Sequence, residues 1–333
     1  MAVTADGGAD SAAPTDAAAG ETTSGGSADV ADSGTGSADS AEQPDADWSE
    51  LLDPEDAASG DATSPDSTGD TGTDSCPERA KIVYVVTSTK QLLSFVPDKL
   101  KFELVGTLAC PGTGSGQPFS MAVDRQANAW VLYSTAVGSG AGVFKVSTLN
   151  ASCQPTSYQN ASLGFDLFGM GFSADQPAVP DEHLWIAGTK GSQFNTGSCK
   201  LGTLDTATMQ PSVVGALPAS YGCPDLSGNG NAELYGFFPN ASPPAIAKID
   251  KSNAQILKSW PLPAQAFSNT EAWAFAQWGG LLWLFFKSYD APSSSVWTLD
   301  PQTGKSALVV ASTGYKIVGA GVSSCAPSKP TVP

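Results

Sequence analysis

Three carboxylates hold matching places in a repeating pattern: Asp166, Asp225 and Glu271 each stand just before, or at the start of, a segment that leads into an aromatic strand motif. If those segments are the innermost strands of a ring, the three side chains gather at one mouth of a central channel. There one could donate a proton, one accept it and one orient a substrate. That is the arrangement of a glycosidase-like propeller hydrolase. The plainer reading is three solvated loop carboxylates, because a reaction has to be argued from a site and not from a fold.

Asp225 also opens a second motif. In DLSGNGNAE, residues 225 to 233, oxygen-bearing side chains alternate at Asp225, Ser227, Asn229 and Asn231, with glycine at the sixth position as in a calcium loop. The twelfth position is Gly236, where such a loop places a bidentate glutamate, and a strand follows instead of a helix. A Gly- and Asn-rich hairpin between two strands accounts for the same residues. No cofactor is expected, calcium at Asp225, Ser227, Asn229 and Asn231 being the alternative to the hairpin reading.

The single histidine, His183, lies in PDEHLW, in a loop ahead of an aromatic strand. Any Ser-His-Asp mechanism would have to use it, yet no G-x-S-x-G turn accompanies it. Trp260, Trp273 and Trp278 are the aromatics available to stack on a sugar or a peptide, in competition with burial in the core. The binding set expected from residue types and repeat position is therefore Asp166, Asp225, Asn229, Glu271 and Trp273.

The elements that position these residues come from a five-fold recurrence. KIVYVV around Tyr84, NAWVLY around Trp130, HLWIAG around Trp185, ELYGFF around Tyr235 and LLWLFF around Trp283 are spaced by 46, 55, 50 and 48 residues. That is the length of a four-stranded propeller blade. Before the motif, small residues recur at every second position: Ser120 and Ala122, Gly169 and Gly171, Ala274 and Ala276, Gly319 and Gly321. A period of two puts them on one face of a strand, which an innermost strand needs where neighbouring sheets approach most closely. After the motif comes a third strand ending in KLGTLD, IAKIDK or VWTLDP, whose Asp205, Asp250 and Asp300 serve as turn formers.

Counting strands predicts an all-β, five-bladed propeller over residues 76–333. The chain enters at the second strand of blade one, residues 81–88, and the missing innermost strand is the last of the sequence, residues 317–323. Pairing the two closes the ring and leaves no free inner edge. All six cysteines lie between 76 and 325, and no Cys-x-x-Cys pair marks a zinc site. Disulfides are expected: Cys76 with Cys325 across the closure, Cys199 with Cys223 on one rim, and Cys110 with Cys153 by elimination. Strict strand alternation places that last pair on opposite rims unless the Gly-rich loop at 112–116 lets the chain cross.

Residues 1–75 carry 18 of the 33 acidic residues and none of the 16 basic ones, so the tail has a charge of −18 and the remainder about +1, giving −17 overall. Built from Ala, Ser, Gly, Thr, Asp and Pro, the tail lacks the apolar surface to offset backbone ordering and is read as a disordered, self-repelling tether. The basic residues of 76–333 are scattered, which argues against nucleic acid. No apolar stretch is long enough to span a bilayer. Disulfides imply an oxidising compartment, so a secretion signal is expected to lie upstream of Met1 or to have been removed. Asn150, Asn160 and Asn240 begin Asn-Ala-Ser triplets, glycan acceptors only in a eukaryotic secretory route.

The wording of the motifs carries a resemblance. PFSMAVDRQANAWVLYS, VFKVST, FGMGFS, LYGFFP, IAKIDK, WAFAQWGG and IVGAGVSSCAP together resemble a family of uncharacterised, secreted or lipid-anchored propeller-like proteins common in myxobacteria. The resemblance covers essentially all of 76–333 and implies a cell-envelope location with no defined reaction. Anchored members carry a lipidated cysteine ahead of the leader; this sequence has no cysteine before Cys76. Taken together, the expectation is a monomeric, non-catalytic envelope or extracellular module for a carbohydrate or a protein or peptide ligand. The alternative is a hydrolase using Asp166, Asp225 and Glu271.

Overall fold

The computed structural model describes residues 76–135, 138–190 and 199–329; the tail expected at 1–75 lies outside the described residues. Blade one starts with β1 (Val83–Thr87), β2 (Gln91–Val96) and β3 (Lys101–Thr107). Blade two is β4 (Gln117–Val123), β5 (Asn128–Ser134), β6 (Gly140–Ser147) and β7 (Cys153–Pro155). Blade three is β8 (Leu167–Ala174), β9 (Glu182–Thr189), β10 (Lys200–Leu204) and β11 (Pro211–Ala216). Blade four is β12 (Asp225–Gly228), β13 (Leu234–Phe238), β14 (Ala245–Ile249) and β15 (Ile256–Pro261). Blade five is β16 (Thr270–Trp278), β17 (Leu281–Ser288), β18 (Ser295–Leu299) and β19 (Ser306–Val310). The chain then returns to blade one as β20 (Ile317–Gly321), whose partner is β1.

These are five four-stranded antiparallel sheets, and the innermost strands β20, β4, β8, β12 and β16 pack each on the next until β16 meets β20. The molecule is a five-bladed propeller closed by its two ends, with Tyr84 opposite Gly321 and Val86 opposite Gly319. Inner strands all run one way, so the end where they begin is here the upper mouth and the end where they finish the lower mouth.

Small residues stand on the inner strands because backbone from the next blade occupies the space a side chain would need. A Cβ on Gly171 would come within 2.6 Å of the Leu226 carbonyl oxygen and 2.9 Å of the Ser227 Cα. Gly171→Ala is therefore expected to lower stability by about 1–3 kcal/mol, the usual cost of overpacking, read as the shift in urea midpoint at unchanged slope. The motif aromatics fill the spaces between blades: Trp130 and Trp185, Tyr84, Tyr235 and Trp283 are all buried in apolar clusters. Their polar atoms are used locally, the Trp130 Nε1 donating to Asp124 at 3.0 Å and the Tyr235 hydroxyl to Glu233 at 2.9 Å.

Asp205, Asp250 and Asp300 form turns as expected. Each accepts from the backbone N–H two residues on, at 2.8 Å from Ala207, Ser252 and Gln302. Hydrogen bonds hold all three carboxyls below the usual range, led by the Thr208 N–H at Asp205, the Ser252 hydroxyl at Asp250 and the Thr303 hydroxyl at Asp300.

The three disulfides join Cys76 to Cys325, Cys110 to Cys153 and Cys199 to Cys223, with Cα separations of 6.2, 5.0 and 5.1 Å. The rim argument against the second pair fails for a reason of sheet geometry. Neighbouring strands rotate by about 20–25°, so an outermost strand lies almost across the direction of the innermost one. The end of β3 thus reaches the β6–β7 turn of the next blade, where a Cβ on Gly106 would touch Ala151. No helix among the described residues is long and apolar enough to cross a membrane.

Candidate functional site

At the upper mouth the five inner strands leave a cleft of about 170 Å³, lined by Gln117, Ser120, Asp225, Glu271, Trp273 and Lys316 among others. A water's share of liquid is about 30 Å³, so the space suits one ring-sized group. It is below the range of about 300–1,000 Å³ that encloses a drug-sized molecule. A ligand here would insert a terminal unit and leave the rest outside.

Asp225 and Glu271 meet in this cleft, and both are engaged. Glu271 is clamped by two lysines, Lys287 on one carboxylate oxygen and Lys316 on the other. Hydrogen bonds from Lys287 and then Lys316 hold its carboxyl below the usual range. Lys287 also donates to the Ser288 carbonyl at 3.1 Å.

Asp225 is not the loop residue that the sequence led us to expect: it is the first residue of the innermost strand β12 and is buried. Its carboxylate accepts from the Phe275 N–H of blade five at 3.2 Å and from the Ser120 hydroxyl of blade two at 3.5 Å. The backbone N–H groups of Leu226 and of Met170 in blade three also bond it. Burial nonetheless pushes its carboxyl well above the ordinary carboxylate range. Two residues on, the Ser227 hydroxyl accepts from the Gln277 N–H at 2.9 Å. Innermost strands have one unpaired edge, and in blade four Asp225 and Ser227 occupy the small-residue positions and satisfy the edge of blade five.

The third carboxylate is turned elsewhere. Asp166 lies at the same rim but is buried against blade two, accepting from the Gly140 N–H at 2.9 Å. The acidic trio is thus two residues of one cleft and one brace between blades.

Asn229 belongs to the opposite mouth, because Asp225 starts β12 and Asn229 follows its end, about 13 Å away at the rise of an extended strand. Its Oδ1 accepts from the N–H of Asn231 and of Glu233, and its amide donates to Glu233 at 2.8 Å. This is the hairpin reading of the motif. An extended strand carries Asp225, Ser227 and Asn229 past different neighbours, so the four calcium ligands read from the sequence do not converge. Among the described residues no group of three or more His, Cys, Asp or Glu side chains is placed to hold a metal.

His183 is part of β9, facing Ser173 of β8, and not of the preceding loop. It is exposed, with Nδ1 2.6 Å from the Asp175 carboxylate. A histidine oriented by an aspartate is two-thirds of a triad, but the contacts described for it include no serine or threonine hydroxyl. Of the three tryptophans, Trp273 lines the cleft. Trp260 is buried in the blade four and five cluster with Lys258 over its ring, and the Trp278 Nε1 donates to the Lys81 carbonyl at 2.8 Å.

Gln117 and Lys316 escaped sequence reasoning. The available signal was the strand count: both sit at the start of an inner strand, as Glu271 does, but an isolated glutamine or lysine carries no motif.

No family model matches this chain, and no curated protein matches it. Among solved structures it is similar to one described as "Streptogramin B lyase structure", at 13% identity, covering 71% of this chain and 70% of that one with a TM-score of 0.35. At that identity and score the likeness carries nothing about activity.

Proposed function

We propose that this protein is a non-catalytic binding module of the cell envelope or extracellular space, and that its ligand inserts a terminal group into the upper-mouth cleft beside Trp273. The observation that carries this is the state of the two cleft carboxylates. Both oxygens of Glu271 are held by lysines, and Asp225 ties the inner strands of blades two, three and five to its own. Neither is free to serve a substrate without breaking the ring's own contacts. Asp166, the third member a hydrolase would need, faces Gly140.

Cys76, where the domain begins, and Cys325 both lie at the lower mouth, since β1 starts and β20 ends there. Three disulfides support an oxidising compartment, and a saccharide or peptide end is the ligand chemistry that two aromatics, Trp273 and Phe119, set among polar groups serve best. The module works as a monomer in this reading.

One observation favours the hydrolase: Asp225 is pushed up and Glu271 held down within one cleft, the pattern of an acid and base pair. Arrays test the cleft that both readings share. The full chain is expected to retain a glycan or peptide on an array, and Trp273→Ala to weaken it by about 2 kcal/mol or more, roughly 30-fold. Gln117→Ala, at an exposed position, is expected to weaken it more mildly without altering the circular dichroism spectrum. Retention unchanged by both substitutions would remove the cleft as the site.

A further inference from the structure

The upper-mouth cleft has room for one ring, so the rest of a longer ligand has to lie on the rim above it. The rim of blade five carries an aromatic side chain that the core does not use. Tyr289 follows the last residue of β17 and is 67% exposed, and no other aromatic among the described residues is exposed. Its loop is held in place. The Tyr289 N–H donates to the Asn269 carbonyl at 2.9 Å, one step beyond the pairing of Ser288 with Thr270. Asn269, in the left-handed region at φ 52°, donates from its side-chain amide to the Asp290 carboxylate at 2.7 Å. Further along the loop Ser293 is buried, its hydroxyl 2.8 Å from that of Ser312.

The strand register fixes where this ring stands relative to the cleft. Trp273 pairs with Phe286 across the β16–β17 ladder, and Tyr289 comes three residues after Phe286. At the rise and strand spacing of a sheet, the backbones of Trp273 and Tyr289 are about 11 Å apart. Side chains alternate along a strand, which puts Tyr289 on the side of Lys287, above the wall that Glu271 and Lys316 form in the cleft. A route from Trp273 over that wall to Tyr289 is aromatic at both ends and polar between them. Lys316 spends a hydrogen bond on Glu271, and its ammonium has three donors, so it can also serve a ligand hydroxyl.

We propose that Tyr289 is a second binding subsite, stacking on a later ring of a linear saccharide whose terminal ring sits in the cleft beside Trp273. The proposal rests on the cleft being the binding site and narrows its ligand to a carbohydrate chain. Such a chain matches the route: ring faces present C–H surface to aromatic side chains, and ring edges present hydroxyls to charged groups. The gap between the two aromatics is longer than a single sugar ring and within reach of a short oligomer, so the protein distinguishes chain lengths.

Titration calorimetry of the full chain with β-1,4-linked oligomers of glucose and of N-acetylglucosamine, from one unit to six, tests this; such chains are straight enough to run from cleft to rim. Wild-type affinity is expected to rise about tenfold once the chain reaches Tyr289, the size of one aromatic contact. Tyr289→Ala is expected to abolish that rise and leave the affinity for the single sugar unchanged, while Tyr289→Phe keeps both. Trp273→Ala is expected to weaken every length, the single sugar included. A rise that survives in Tyr289→Ala, with Trp273→Ala still weakening the single sugar, would overturn the subsite and leave the cleft as the binding site. Single-sugar binding untouched by Trp273→Ala would instead remove the cleft. A wild type that binds neither series, or binds all lengths alike, would also overturn the proposal.

Discussion

Asp225→Ala is expected to lower the stability of the ring by about 2–4 kcal/mol, the cost of leaving several buried N–H donors without their acceptor while water reaches some of them from the cleft. Those donors come from three different inner strands, at Met170, Leu226 and Phe275, with the Ser120 hydroxyl from a fourth. The loss should appear as a lower urea midpoint with an unchanged slope, since the fold is kept. Asp225→Asn retains one acceptor oxygen and should cost less.

The asparagine variant also isolates the charge. The folded-state pKa of Asp225 is raised by burial, so the folded state binds its proton more tightly than the unfolded chain does. The stability this supplies is full below the ordinary value of about 3.9 and declines as pH rises above it. Wild type minus Asp225→Asn should therefore shrink with rising pH in urea titrations from pH 3 upward. A difference that grows with pH would mean that the four hydrogen bonds outweigh burial and that the group sits ionised.

Replacing Cys76 and Cys325 together with serine is expected to destabilise the domain by about 2–5 kcal/mol. The bond spans 249 residues and ties the closing segment to the start of β1, so cutting it frees both ends of the unfolded chain and the shared blade together. Cys199 and Cys223 are 24 residues apart within neighbouring blades, and their loss should cost less. Thermal melts of the two double variants settle the order. An equal effect would mean that strand pairing between β1 and β20 alone holds the ring.

Much of this architecture was legible in the residues because propeller blades solve one packing problem five times. Tyr84, Trp130, Trp185, Tyr235 and Trp283 mark it by spacing, and the alternate small residues mark which strand is innermost. Two of the disulfides followed from the same map and the third by elimination, because the path of Cys110 to Cys153 needed the sheet twist that strand alternation ignores.

The site was harder to read, for a physical reason visible at Asp225. On sequence alone a carboxylate at a strand start looks available, and only the neighbouring blades reveal that Phe275, Met170 and Ser120 already claim it. Asn229 misled in the other direction: four residues separate it from Asp225, but along a strand that distance crosses the ring from one mouth to the other.

These placements change which substitutions can report on function. Replacing the acidic trio together would mostly report on stability, because Asp166 and Asp225 brace the ring. Trp273 and Gln117 probe the cleft itself.

The most direct measurement of the central claim takes the ligand retained by the array and incubates it with the full chain. Binding is followed by titration calorimetry and the ligand's mass by mass spectrometry. One ligand is expected to bind per chain, with its mass unchanged after prolonged incubation and its binding weakened in Trp273→Ala. A hydrolysed product that no longer forms with Glu271→Gln would contradict it and make the cleft an active site.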